Sequence, residues 1–302
     1  MDVHRYAWLV LLLAWPGPGA AQTSPALTAP AQSADGPAAD GAQALVERAL
    51  ENELTAAGDT KHPMRYTLRK TSPRLSSTKM LIETKDGQVA RLVAINNEPL
   101  SAEDEKKELN RLDGLLGDPG RQKHRKDSED ADAARAMKVL RALPKAFLYE
   151  AAGADAGAAA GMSPSGQAQL EKFNFKPNPA FHPPDLETEV LTAMDGAIWI
   201  DAATERVTRL EGRLEHDEDF GWGILGRLNK GGCITIEQAD VGGGQWRIVR
   251  FEMQMTGRVL FKSKVFDTVE VERDFVPVEL GLGYQRAIEM LREGAAGKRA
   301  AH

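Results

Sequence analysis

The chain has 302 residues, of which 27% are charged and 42% apolar, and a formal net charge of −6. That is globular composition on a chain long enough to bury a sizeable core, and its mild acidity gives no general pull toward nucleic acid or anionic lipid. One cysteine, Cys233, excludes an intramolecular disulfide, and a buried thiol is its plainest role.

The N-terminus MDVHRYAWLVLLLAWPGPGAAQ places His4 and Arg5 ahead of an apolar run from Tyr6 to Trp15, followed by small residues. Gly19 and Ala21 stand at the −3 and −1 positions of a cleavage site before Gln22. This predicts a secretory signal peptide over residues 1–21, cut near Ala21, and a periplasmic or secreted protein. The run is too short for a bilayer span, which needs roughly 20 residues, so no stable membrane anchor is expected. Residues 22–41, rich in Ala, Pro, Ser and Gly, read as a flexible leader, and residues 293–302 as a similar tail.

Between these, Leu45, Ala49, Leu50 and Leu54 predict a helix over residues 42–57, ended by Gly58-Asp59. The runs MRYTLRK, TKMLIET and QVARLVAIN read as strands, with Asp86-Gly87 as a two-residue hairpin between the last two. Residues 100–143 form a charged helical insertion. Ser101 caps a helix with Asp104 as its partner, and Gly117 and Pro119 stop it. GRQKHRKDSEDAD then reads as a solvated connector to a second helix from Ala133 to Leu143, ended by Pro144.

Strands resume with AFLYEAA and LEKFNFK, separated by a small-residue turn from Gly153 to Gly166. PNPAFHPPD is an irregular crossing loop. GAIWID, ERVTRLEGRL, CITIEQA, QWRIVRFEMQM, RVLFKSKV and FDTVEVERDF follow as strands, with turns at Ala202-Ala203, Gly242-Gly243-Gly244 and Thr256-Gly257. A short helix closes FVPVELGLGYQRAIEML. Many strands and few alternating helices predict one α+β domain over residues 42–292. Its basis is a large, curved antiparallel sheet, an incomplete barrel, packed against helices.

Gly221, Gly223 and Gly226 in FGWGILGRL spell G-x-G-x-x-G. A dinucleotide loop needs a helix after the third glycine, yet only RLNKGG precedes the next strand. Glu215, Asp217, Glu218 and Asp219 just upstream would repel a phosphate. The stretch reads instead as a connector whose Phe220, Trp222, Ile224 and Leu225 fold back over the end of the sheet. The acidic run has no EF-hand spacing, the histidines have no paired spacing, and GMSPSG is not a nucleophile elbow. No catalytic residue, metal or cofactor is therefore assigned.

The apolar pattern says more. In QWRIVRFEMQM, Val249, Phe251, Met253 and Met255 share one strand face, while Trp246 and Ile248 begin the other. Ile198 and Ile200, Leu210 and Leu214, and Ile234 and Ile236 make similar pairs. Such a surface is either core or an adaptable groove for a lipid-like ligand. Trp199, Leu210, Phe220, Trp222, Phe251, Met253 and Met255 are its candidate contacts.

GAIWIDAATERVTRLEGRL, with Trp199 and the turn-forming Asp201, resembles the outer-membrane lipoprotein carrier and sorting superfamily. That resemblance implies an incomplete antiparallel barrel around a helical plug, with a concave apolar face that holds acyl chains. LPKAFLYE, NFKPNPAFHPP, FGWGILGRLNKGG and FKSKV are similar to a set of uncharacterised secreted bacterial proteins. This second resemblance covers most of residues 60–291 and implies no function. The insertion departs from the carrier plan. The expectation is a non-enzymatic periplasmic carrier or chaperone for lipid or lipoprotein cargo. The alternative is a cell-envelope scaffold that docks a protein partner through residues 101–143. A secreted hydrolase stands last, with no motif behind it.

Overall fold

The computed structural model describes residues 37–154, 170–220, 226–259 and 262–299. The expected signal peptide, most of the leader, most of the turn after Gly153, and Trp222 lie outside these. Helix α1 (Pro37–Ala57) precedes strands β1 (Met64–Thr71), β2 (Ser76–Ile82), β3 (Val89–Ile95) and β4 (Glu98–Pro99). Helices α2 (Ala102–Leu116) and α3 (Pro119–Ala146) follow, then β5 (Phe147–Ala154) and β6 (Leu170–Pro177). After α4 (Leu186–Glu189) and a 3-10 turn come β7 (Met194–Asp201), β8 (Arg206–Leu214), β9 (Glu218–Phe220), β10 (Gly226–Leu228), β11 (Cys233–Asp240), β12 (Trp246–Val259) and β13 (Lys262–Pro277), with α5 (Tyr284–Arg299) last.

The strands form one open sheet of 13 strands, ordered β4-β3-β2-β1-β13-β12-β11-β8-β7-β6-β5, with the short β9–β10 pair set beside β12. The first strand thus pairs with the last, which ties the ends of the domain together. Its two rims differ: β4 is two residues long and contains Pro99, whereas β5 is eight residues long.

Register sorts the side chains. Phe173, Ile198, Leu210, Ile236 and Phe251 stand opposite one another across five neighbouring strands, and Glu270 and Lys70 continue the same row. The next row carries Tyr149, Phe175, Gly196, Gly212, Ile234 and Met253. A side chain at Gly196 would strike the Glu211 carbonyl and the Phe175 ring, so glycine is what lets that ring lie across the sheet.

Helices cover both faces at opposite ends. On the face of the two rows, Val46, Ala49 and Leu50 of α1 and Met137, Leu140 and Leu143 of α3 complete the larger core. Ile82 and Val89 point the other way and join Leu112 and Leu115 of α2 with Ala287, Ile288 and Leu291 of α5 in a second core. Helix α3 links the two. Its early turns touch the β2–β3 connection through Gln122 Nε2 to the Asp86 carbonyl, 2.7 Å, and through Glu129, which accepts from the Gln88 amide, 3.0 Å. Its last turns enter the larger core.

The structure differs from the expectation at several points. GRQKHRKDSEDAD is helical, because Lys123–Asp127 and Lys126–Asp130 are i,i+4 ion pairs that support a continuous α3. Pro119 starts that helix rather than only ending the previous one, and Pro144 falls in its last turn. The tight hairpin is at Asn96-Asn97, both with positive φ, while residues 83–88 form a wider connection around Asp86-Gly87. β12 runs through Thr256-Gly257, since Gly257 packs on the Arg227 carbonyl of β10. A bulge at Val249 brings Ile248 into the core beside Phe251. Helix α1 begins within the expected leader, and α5 extends into the expected tail.

Candidate functional site

Leu210, Phe251, Met253 and Met255 do share one face, and the last three are each only 2% exposed. The face is filled by α1 and the end of α3. Trp199 lies on the opposite face, clasped by Lys172 at 4.9 Å and Arg209 at 5.5 Å. Phe220 ends β9 opposite Gly226, and Trp222 lies outside the described residues.

Polar contacts fix α1 in place. The buried Glu53 carboxylate accepts from Arg206 Nε and Nη2 at 2.8 and 3.0 Å, from the Val207 amide at 3.1 Å and from Gln238 Nε2 at 3.1 Å. Arg48 and Asn52 of the same helix reach the side chain and carbonyl of Glu205. Glu205 is held at positive φ in a turn that Asp201 organises by accepting from the Ala203 and Thr204 amides. The helix is therefore clamped along its C-terminal half.

At β13 the apolar face turns charged. Lys70 pairs with Glu270 at 2.7 Å. Beside them Tyr66, Glu83, Gln88 and Arg247 are buried, and Glu272 is half-buried. Burial raises the Glu272 carboxyl well above the usual carboxylate range; the charges of Glu270 and Glu83 add to this, and Arg247 opposes it. Burial likewise raises the Tyr66 hydroxyl, helped by Glu272 and Glu83 and opposed by the Gln88 hydrogen bond and Arg247. Arg247 Nη2 donates to the His62 carbonyl at 2.6 Å, while its Nε and Nη1 have no partner among the described residues. A cavity of about 320 Å³ adjoins this cluster, between Pro63, Thr84, Gly87, Lys126, Glu129 and Leu282. Burial pushes the Glu129 carboxyl up as well.

Sequence reasoning did not find this cluster. In VEVERDF the alternation suggests valines inward and glutamates outward, but Glu270 and Glu272 share the face of Phe251. Alternation shows which residues share a face, not which face is covered.

The acidic run is engaged internally. Arg227 Nε and Nη2 each donate to Asp219 at 2.6 Å, and Asp217 accepts from the Lys230 amide at 2.8 Å. Among the described residues no group of three or more His, Cys, Asp or Glu side chains is placed to hold a metal. Gly226 opens strand β10 rather than the helix that a dinucleotide loop needs, and the stretch read as a connector contributes the paired strands β9 and β10 to the sheet. Among the described residues no helix is long and apolar enough to cross a membrane.

No family model and no curated protein matches the chain. Among solved structures it is similar to a DUF1329 family protein from Desulfovibrio piger, at 9% identity and a TM-score of 0.29, over 82% of this chain and 95% of that one. So distant a likeness carries no argument about function and gives no support to a lipoprotein-carrier link.

Proposed function

We propose that this protein is a non-enzymatic periplasmic carrier or chaperone whose cargo is a lipid or a lipoprotein acyl chain. One observation supports the reading. The sheet presents a continuous aromatic and methionine-rich face, from Phe173 to Met255, that is closed by helices rather than by a second sheet. Helices can be shifted with few backbone bonds broken, and methionine repacks readily around varied shapes. Cargo would take the space now held by α1. Native mass spectrometry of the mature protein, purified from a periplasmic extract without detergent, tests this. The expected result is an adduct of lipid mass; clean apo protein from a lipid-rich extract would overturn it.

A second reading, an envelope scaffold that docks a partner through residues 101–143, rests on the depth at which Phe251, Met253 and Met255 are buried. Deleting the segment cannot test it, because α2 supplies residues to the smaller core and α3 to the larger. Exposed charges such as Lys123 and Asp127 are the ones to vary instead.

A further inference from the structure

In the first half of α3, Arg121 and Arg125 stand outside the ion pairs that join Lys123 to Asp127 and Lys126 to Asp130. Arg121 and Arg125 lie one turn apart, hence on one side of the helix. Arg111 of α2 is fixed nearby: its Nη2 donates to the Ala90 carbonyl at 2.6 Å, and its fork grips Glu108. Glu129, one turn after Arg125, binds the Gln88 amide. Gln88 and Ala90 are two residues apart on extended chain, about 7 Å, so α2 and α3 meet the same short stretch. Burial lowers the Arg125 pKa, and the charges of Arg111 and Arg121 lower it further, against the pull of Glu129. Arg125 therefore lies within the field of both Arg111 and Arg121.

The surrounding acids are already committed. Glu108 also accepts from the Leu92 amide, Glu105 pairs with Arg91, Asp113 with Arg292, and Asp118 caps the Arg121 amide. The side chains of Arg121 and Arg125 have no hydrogen bond or ion pair among the described residues, and Arg125 Nε is shut off from water. Like charges held together are costly when two of the three, Arg121 and Arg125, have no acceptor, and guanidinium forks match the oxygens of a phosphate.

We propose that Arg121 and Arg125, flanked by Arg111, form a binding site for a phosphate group, either free or on a lipid headgroup. The site lies away from the apolar face and does not depend on the cargo reading. Titration calorimetry with inorganic phosphate, at ionic strength held constant with sodium chloride, should show saturable binding. Arg121→Gln/Arg125→Gln should weaken it at least tenfold, roughly what one lost charge-assisted hydrogen bond costs. Lys123→Gln, an exposed change on the same helix, should leave it within about twofold. Circular dichroism should match across the set, and Arg121→Gln alone serves if the double variant unfolds. Co-sedimentation with phosphatidylglycerol vesicles, against phosphatidylcholine alone, identifies the source. Arginine-dependent sedimentation that phosphate competes away assigns the site to headgroups, and phosphate binding without it assigns the site to free phosphate. Absence of both, or equal weakening by Lys123→Gln, would overturn the proposal.

Discussion

Glu272 shows how much one side chain's meaning depends on its neighbours. Its carboxyl is raised well above the usual range by burial and by Glu270 and Glu83. The native state then holds a proton that the unfolded chain releases. Its contribution to stability is complete below the unfolded carboxylate pKa of about 4.3 and is lost as pH climbs through the raised folded value. Glu272→Gln keeps the shape and removes the titration. In urea unfolding, the variant should gain on the wild type between pH 5 and pH 8; equal slopes would mean that the carboxyl is solvated in the fold. Little of this was legible beforehand. The glutamates of VEVERDF look like a solvated strand face, and only register across the sheet turns them inward. Phe251, Met253 and Met255 were legible as a set because strand alternation is local. That α1 lies over them is a long-range fact with no local signature.

Among the elements, α1 depends most on a polar anchor. Its buried face is rich in small residues (Ala42, Ala49 and Ala57 alongside Val46 and Leu50), so apolar contact alone holds it modestly. Glu53 supplies the rest by accepting from Arg206, Val207 and Gln238. Glu53→Ala leaves the Arg206 charge partly buried and should cost about 3–5 kcal/mol, the usual loss when one partner of a buried pair is removed. Glu53→Gln should cost less, since it still accepts hydrogen bonds. Urea midpoints measure both, and a loss under about 1 kcal/mol for the alanine variant would show that packing alone holds the helix. The helix itself was readable from its apolar spacing, whereas the anchor was not: Glu53 stands in the sequence like any surface glutamate. The continuity of α3 was missed for a related reason. Its charged middle resembles linker composition, and the i,i+4 pairs that make it a helix show only when the spacing of opposite charges is checked.

For the molecule as a whole, the two cores lie on opposite faces of one sheet, and α3 straps them, packing in the larger and hydrogen-bonding to the β2–β3 connection beside the smaller. They should unfold as a unit. Phe251→Ala in the larger core and Leu291→Ala in the smaller should each lower stability by about 2–5 kcal/mol. Each should also shift one common transition when tryptophan fluorescence and far-UV circular dichroism are followed together. Separate midpoints for the two probes would mean that the strap does not couple the cores. The α+β class and the long antiparallel sheet were legible from the number and spacing of strands. The placement of α2 and α5 behind β2 and β3 was not, because a helix stripe shows that a face is buried and not against what.

The unequal rims of the sheet also bear on self-association. Main-chain pairing between copies needs a row of free amides and carbonyls, and Pro99 on the two-residue β4 denies one at that end. Among the described residues β5 pairs with β6 alone. Two copies that met strand to strand through β5 would use up both long receptive rims and leave outward the Pro-blocked β4 and the three-residue β9. Addition of that kind stops at a pair, whereas a sheet open at both ends would go on to a fibre.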